Sequence, residues 1–350
     1  MLSLLVLACT AEDNKLQSSN ILSSETAIFT SVSMDYSVGS LSSITTDSLT
    51  ITEDISSVSG DPVIRYDGEA LWQLNRYQYD TIRQYDPRNL RYPLLEISVA
   101  PETGSSNPHD VARCNQQLFV SLYEQSHLLI LNPENLDEIT TIDISAFADD
   151  DGRTEASSLV VLQNKLYLGL QGLNRNNGYS YVDSTILEID CLENQVVNSW
   201  NFGANIQLHD WKEDQLLIST YQAENFDAGL YSFHPENETF ETVLQTEDNI
   251  SAVSVLGEQI AFLSASSSFD SYQINCFDGE AWYTHTDFLE YLSDIQINQA
   301  GEIWATAHWG WINPSEAKSG IYRFDSRCQE LTPNLLALNL APNSLVFVTP

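Results

Sequence analysis

Four aspartates fall at comparable places along the chain, in Gly60-Asp61-Pro62, Asn107-Pro108-His109-Asp110, His209-Asp210-Trp211 and Ser293-Asp294. If the fold brings those places together, Asp61, Asp110, Asp210 and Asp294 form an acidic ring, the oxygen donor set of a hard divalent cation. Asp is equally the residue that caps backbone amides at turns, and in so acidic a chain capping is the stronger expectation. His109 and His209 stand beside Asp110 and Asp210, an arrangement that orients an imidazole for acid/base work. A histidine hydrogen-bonded for structure is the competing reading. Arg76, Tyr123, Arg175, Tyr221, His308 and Trp309 combine flat rings with guanidinium forks, which suit a sugar, a peptide or a protein surface. Aromatic wedges between packed repeats are the alternative there.

Motifs for catalysis are missing: no G-x-S-x-G elbow, phosphate loop, H-E-x-x-H helix or C-x-x-C-H sequence occurs. The run Asp149-Asp150-Asp151-Gly152 invites a calcium reading, but an EF-hand register puts Phe147 and Ser158 at its first and last ligand positions. That loop type is excluded, which leaves a solvated turn or a calcium site of another kind. Apolar residues make up 43% of the 350, enough for a substantial core. With 14 Lys and Arg against 49 Asp and Glu the formal charge is −35, which repels a phosphate backbone and an anionic membrane face. No nucleic-acid partner is expected.

What positions the candidates is a repeat. Residues 118–145, LFVSLYEQSHLLILNPENLDEITTIDIS, read as an apolar strand, a polar connection, a second strand, the turn NPEN and a third, alternating strand. The same order recurs from Ala27, Ala70, Lys165, Gln215, Gln259 and Glu302, and the turns at Thr45, Asp86, Asn132, Asp190, His234, Asp278 and Asp325 return about every 47 residues. A short apolar segment precedes each copy after the first: PVIRY, DVARC, SLVVL, IQLHDW, ISAVSVL and DIQINQ. Helical periodicity is almost absent, so each unit offers four strands, a to d. Such units bury their faces only by stacking around an axis. The expected fold is all-β: a seven-bladed β-propeller of four-stranded blades over residues 27–350, with six or eight blades as the miscount to guard against. After the seventh copy's last strand the chain continues as APNSLVFV, an a strand with no b strand to follow, while the first copy lacks an a strand. Pairing of residues 344–348 with the segment from Ala27 would close the ring and hide both edges. The d-to-a and b-to-c connections then share one face, where the candidate residues gather around an axial channel. No cofactor is expected beyond a possible divalent cation in that channel.

At these strand and turn residues the sequence resembles the YVTN-type β-propeller repeats of bacterial surface and periplasmic proteins, most closely through LFVSLYEQSHLLILNPENLDEITTIDIS. The resemblance covers most of residues 27–348, and it implies a fold and an exported location more than an activity. Its implied role is a non-catalytic module that binds a ligand or protein on a rigid disc. The alternative is a propeller hydrolase or lyase, lactonase-like, with a metal or His at the channel mouth.

The opening MLSLLVLAC contains Val6-Leu7-Ala8-Cys9, which resembles a bacterial lipoprotein box and implies cleavage before Cys9 and lipidation of Cys9. Residues 1–9 are then the signal segment, and the polar, Ser-rich residues 10–26 a disordered tether. The basic start of such leaders is missing and the apolar stretch is short, which fits a leader that begins upstream of Met1. No later segment approaches the roughly 20 apolar residues that cross a bilayer, so the membrane contact would be the lipid alone. Thr10, which follows the cysteine, is not the Asp that resembles an inner-membrane retention signal in enteric bacteria, which favours the outer membrane or cell surface. The remaining cysteines, Cys114, Cys191, Cys276 and Cys328, include no C-x-x-C pair, so zinc-ribbon and haem readings lack support. Exported, they are expected to form disulfides, with free buried thiols as the alternative. All four fall at or near turns on the face opposite the channel mouth, and adjacent-blade pairing favours Cys114 with Cys191 and Cys276 with Cys328. The expectation is a monomeric, acidic, lipid-anchored envelope domain whose partner is an envelope protein or a small ligand.

Overall fold

A computed structural model describes residues 24–349 except 179, 182, 213, 287 and 309–317. Strand burial follows sequence pattern. In Gln117–Leu122 and His127–Leu131 nearly every residue is buried, because both faces of these strands meet a neighbouring blade, whereas Glu138–Asp143, the outer strand of the same sheet, is mostly exposed. With Pro108–Cys114 as its inner strand, this antiparallel sheet is one of seven four-stranded blades. Blades 2 to 7 begin at inner strands Pro62–Tyr66, Pro108–Cys114, Ala156–Leu162, Gln207–Lys212, Asn249–Leu256 and Tyr291–Ile297. Blade 4 departs from the simple pattern: its long b-to-c connection carries a small hairpin, Leu173–Asn174 paired with Ser180–Tyr181.

Blade 1 consists of Thr26–Val32, Gly39–Thr45 and Ile51–Val58, and takes its inner strand, Ala341–Val348, from the far end of the chain. The ladder pairs Ala27 with Phe347, Ile28 with Val346 and Phe29 with Leu345, and a bulge at Thr30/Ser31 extends it back to Ala341. The closing strand is therefore longer than residues 344–348, and its partner begins at Thr26, the last residue assigned to the tether. Cys9 lies outside the described residues. Leu345 and Val348 are fully buried, each contributing about 1.5–3 kcal/mol of hydrophobic stabilisation.

Every junction between blades has its own apolar cluster. Trp72 and Leu74 meet Val120 and Leu129 between blades 2 and 3, and Phe119 and Ile130 meet Leu168 and Leu187 between blades 3 and 4. Trp304 packs on Phe29 and Leu345 where blade 7 meets blade 1. Nearer the axis, five junctions are stitched by one device, a side-chain oxygen on one inner strand accepting an amide of the next. Ser344 Oγ accepts from Ile64 (3.3 Å), Asp110 Oδ2 from Leu159 (2.9 Å) and Ser158 Oγ from Leu208 (2.9 Å). Ser254 Oγ accepts from Ile297 (2.9 Å) and Asp294 Oδ2 from Leu345 (2.8 Å). Two disulfides, Cys114–Cys191 and Cys276–Cys328, link blade 3 to blade 4 and blade 6 to blade 7. Among the described residues no helix is long and apolar enough to cross a membrane.

Candidate functional site

The inner strands enclose an axial channel of about 700 Å³, whose wall includes Arg65, Arg76, His109, Asp110, His209, Asp210 and Asp294. Arg65 Nε donates to Asp110 Oδ1 at 2.6 Å and its Nη1 to the Ile64 carbonyl at 2.9 Å. Burial opposes the guanidinium charge, but Asp110 and then Asp294 outweigh it and raise the Arg65 pKa. Both carboxylates also hold amides, Asp110 those of Val111 and Leu159, Asp294 those of Ile295 and Leu345. Burial pushes the Asp294 carboxyl up, against the pull of the Leu345 amide and Arg65.

Three of the four aspartates, Asp110, Asp210 and Asp294, border the channel, while Asp61 is paired with Arg76 (2.6 Å). Asp110 and Asp294 cap amides around Arg65, and burial raises the Asp210 carboxyl against the pull of the Trp211 amide. Among the described residues no group of three His, Cys, Asp or Glu side chains is placed to hold a metal ion. His209 Nε2 lies 3.1 Å from Ser219 Oγ, and burial followed by Arg65 lowers its pKa to about 3. Neither His209 nor His109 is hydrogen-bonded to the aspartate beside it among the described contacts, so adjacency in sequence does not create an oriented acid/base pair. Successive residues of a strand point to opposite faces, which separates the two side chains.

The mouth on the d-to-a and b-to-c side gathers the aromatic candidates. His109 stacks on Tyr123 with ring centres 4.2 Å apart, and the Tyr123 hydroxyl donates to Gln171 Oε1 at 2.8 Å. Arg175 lies 5.8 Å over the Tyr123 ring while its fork holds Glu124 at 2.9 and 2.8 Å. Burial, then Arg76, Arg65 and Arg175, keep His109 well below the ordinary histidine range, so it is neutral and sits in a locally positive field. Ring contacts continue from Tyr181 to Tyr221 (5.7 Å) and on to Phe269 (6.3 Å). A second series runs from Tyr272 to Tyr291 (5.3 Å), His308 (5.6 Å) and Tyr36 (6.2 Å). Burial raises the Tyr221 and Tyr291 phenols, and Tyr221 also feels Tyr181, Tyr291 and Tyr272, so phenols from four blades, 4 to 7, lie near one another. Burial lowers His308 to about 4.

Backbone geometry presents these rings. Tyr36 and Phe269 both have φ of 56°, a left-handed conformation that non-glycine residues seldom adopt. Each closes a turn onto a serine carbonyl, Tyr36 N to Ser33 O and Phe269 N to Ser266 O, both 2.9 Å. Gly60 allows the Tyr36 loop to sit close, since a Cβ there would collide with the Tyr36 carbonyl.

Of the residues expected at the site, Arg76, His109, Asp110, His209, Asp210 and Asp294 border the channel, Tyr123 and Arg175 adjoin His109, Asp61 is paired with Arg76, Tyr221 and His308 belong to the ring series, and Trp309 falls outside the described residues. Arg65, Tyr36, Tyr272, Tyr291 and Gln171 are additions. The charge within the apolar strand Pro62–Tyr66 is the sequence signal that marks Arg65.

Fold and channel define a β-propeller with a polar, ring-lined mouth. No protein-family model matches the chain, and no curated protein matches it in sequence. Solved structures similar to it include a functionally unknown protein from Desulfotomaculum acetoxidans DSM 771, with TM-score 0.62 and 12% identity over 94% of this chain and 100% of that one. The β-propeller domain of Cps50 (Swd1) from Myceliophteria thermophila has TM-score 0.58 and 10% identity over 80% and 92%. Streptogramin B lyase has TM-score 0.56 and 10% identity over 79% and 89%. At these identities the likeness establishes the architecture and nothing about activity.

Proposed function

We propose that this propeller is a non-catalytic binding module that takes a small polar ligand at the ring-lined mouth. The observation that carries the reading is convergence: Tyr, His or Phe rings from blades 1 and 3 to 7 contact or adjoin one another, and His109 and, from blade 2, Arg76 continue them into the channel wall. Rings exclude water on their faces while hydroxyls and amides offer hydrogen bonds at their edges. Arg76 Nε is buried without an acceptor, a donor still available after the Asp61 pair is made. A ligand whose acceptor group meets Arg76 and whose ring or apolar stem lies on Tyr221 and His308 satisfies both features. A calorimetric and thermal-shift survey of oligosaccharides, sugar acids and short peptides tests this. Ligands found should lose at least tenfold in affinity in Arg76→Ala and Tyr221→Ala, and binding unchanged in both variants would refute the assignment.

The lyase-like reading receives less support, because neither channel histidine among the described contacts has a carboxylate hydrogen bond to orient it.

The same proposal includes export and lipid anchoring at Cys9. Two interblade disulfides support an oxidising compartment. Substituting Cys9→Ser should move the protein from the membrane to the soluble fraction, and unchanged membrane association would remove the anchor from the account.

A further inference from the structure

Strand register fixes which channel residues stand at the mouth. Pro108 pairs with Leu122 and Pro62 with Asn75, so His109 and Arg76, the neighbours of those pairs, stand where the inner strands begin. Asp210 pairs with Leu216 and Arg113 with Leu118, both close to the a-to-b turns, so these two belong to the far end. Arg76, His109 and Gln171 border the same cavity of about 700 Å³. That space takes a small organic molecule and not merely an ion.

The mouth end is rich in hydrogen-bond donors. Asp61 engages only Nη2 of Arg76 (2.6 Å), while Nε is buried without an acceptor and Nη1 has none among the described residues. Gln171 accepts the Tyr123 hydroxyl on its Oε1 (2.8 Å), which leaves its Nε2 to donate. His109 is held by its stack on Tyr123, and its imidazole has no hydrogen bond among the described residues. The carboxylates further along the wall are engaged. Asp67 holds Arg113 (2.9 Å) and the Trp72 indole (2.8 Å), Asp110 holds Arg65 (2.6 Å), and Asp294 caps the amides of Ile295 and Leu345. The electrostatics agree: Arg76, Arg65 and Arg175 all oppose a proton on His109, and no carboxylate among the described residues offsets them there. In a chain of formal charge −35 this is an island of positive potential.

We propose that the His109 end of the channel is an anion subsite, and that the ligand of the mouth is an organic acid whose carboxylate is received by Arg76, Gln171 and His109. The inference rests on the binding role proposed above and adds the charge of what is bound. A neutral acceptor satisfies the donors, but only an anion also balances the positive field at His109. Charge-assisted hydrogen bonds are about twice as strong as neutral ones, and a guanidinium meets a carboxylate as a planar fork. Asp110 and Asp294, further along the wall, disfavour a second negative charge, so a carboxylate is preferred to a phosphate dianion.

The test compares glucuronate with its neutral amide, glucuronamide, and acetate with acetamide, by thermal shift and calorimetry at pH 7.5 and fixed ionic strength. Wild type should bind each acid at least roughly tenfold tighter than its amide. Arg76→Gln should bring acid and amide within about threefold of each other. His109→Phe keeps a ring on Tyr123 and should weaken glucuronate by at least about threefold, which keeps the test decisive should the Arg76 variant fold poorly. Equal affinity for acid and amide, or no saturable response to either acid, would overturn the anion subsite. Either failure is separable from failure of the mouth, which is judged by whether Tyr221→Ala weakens the binding of a neutral ligand.

Discussion

Arg65 stands in the channel with its guanidinium on Asp110 and Asp294 close enough to raise its pKa. Removing one partner of such a trio leaves charge uncompensated in a partly desolvated place. Asp110→Asn also weakens the stitch to Leu159, so it should lower stability by about 2–3 kcal/mol in urea unfolding. A loss under about 0.5 kcal/mol would show that the stitch and the ion pair contribute little. The histidines give a pH signature. His209 and His308 titrate at about 3 and about 4 in the fold, and at about 6.5 in an unfolded chain. Between those values the unfolded state binds more protons, so their contribution is complete above pH 6.5 and is lost as pH falls toward 3–4. Each imidazole adds a slope of up to about 1.4 kcal/mol per pH unit. His209→Asn should flatten the decline of stability between pH 6.5 and 4, and an unchanged slope would show that His209 is not held neutral.

At the scale of the element, strand order was legible because the outer strands alternate while the middle strands are apolar throughout. Glu138–Asp143 and His127–Leu131 show that contrast within one blade. The same reading located the inner strands from PVIRY to DIQINQ and the closing pairing of the C-terminal strand. It did not locate the ring contacts, because Tyr36 and His308 are separated by most of the chain and meet only when blade 7 is set beside blade 1. Nor did it separate Asp110, Asp210 and Asp294, which border the channel, from Asp61, which is paired with Arg76, since all four stand near the start of an apolar run. The disulfides act between elements. Cys114–Cys191 closes a stretch of 77 residues, and restricting an unfolded chain by that much is worth about 4 kcal/mol in the entropic model. The double variant Cys114→Ser, Cys191→Ser should lose about 2–4 kcal/mol in guanidinium unfolding and retain the wild-type fold by circular dichroism. An unchanged midpoint would mean that the blade 3–4 cluster alone fixes this junction.

For the whole molecule, circular closure decides the architecture, since Trp304 is covered by Phe29 and Leu345, residues from the two ends of the described chain. A closed ring leaves two faces with different compositions. The turns that carry the cysteines lie on one, and Tyr77 and Phe269 remain 57% and 42% exposed on the other. Charge sharpens the difference, because a chain of formal charge −35 places Arg65, Arg76 and Arg175 near one neutral histidine. The proposed binding role is a claim about which face is used, and it is tested by a photoreactive amino acid incorporated at Tyr221 or, on the opposite face, at Leu192, which is 71% exposed. After irradiation in cells and intact-mass analysis, the account predicts a discrete adduct from position 221 and none from position 192. An adduct confined to position 192 would contradict it.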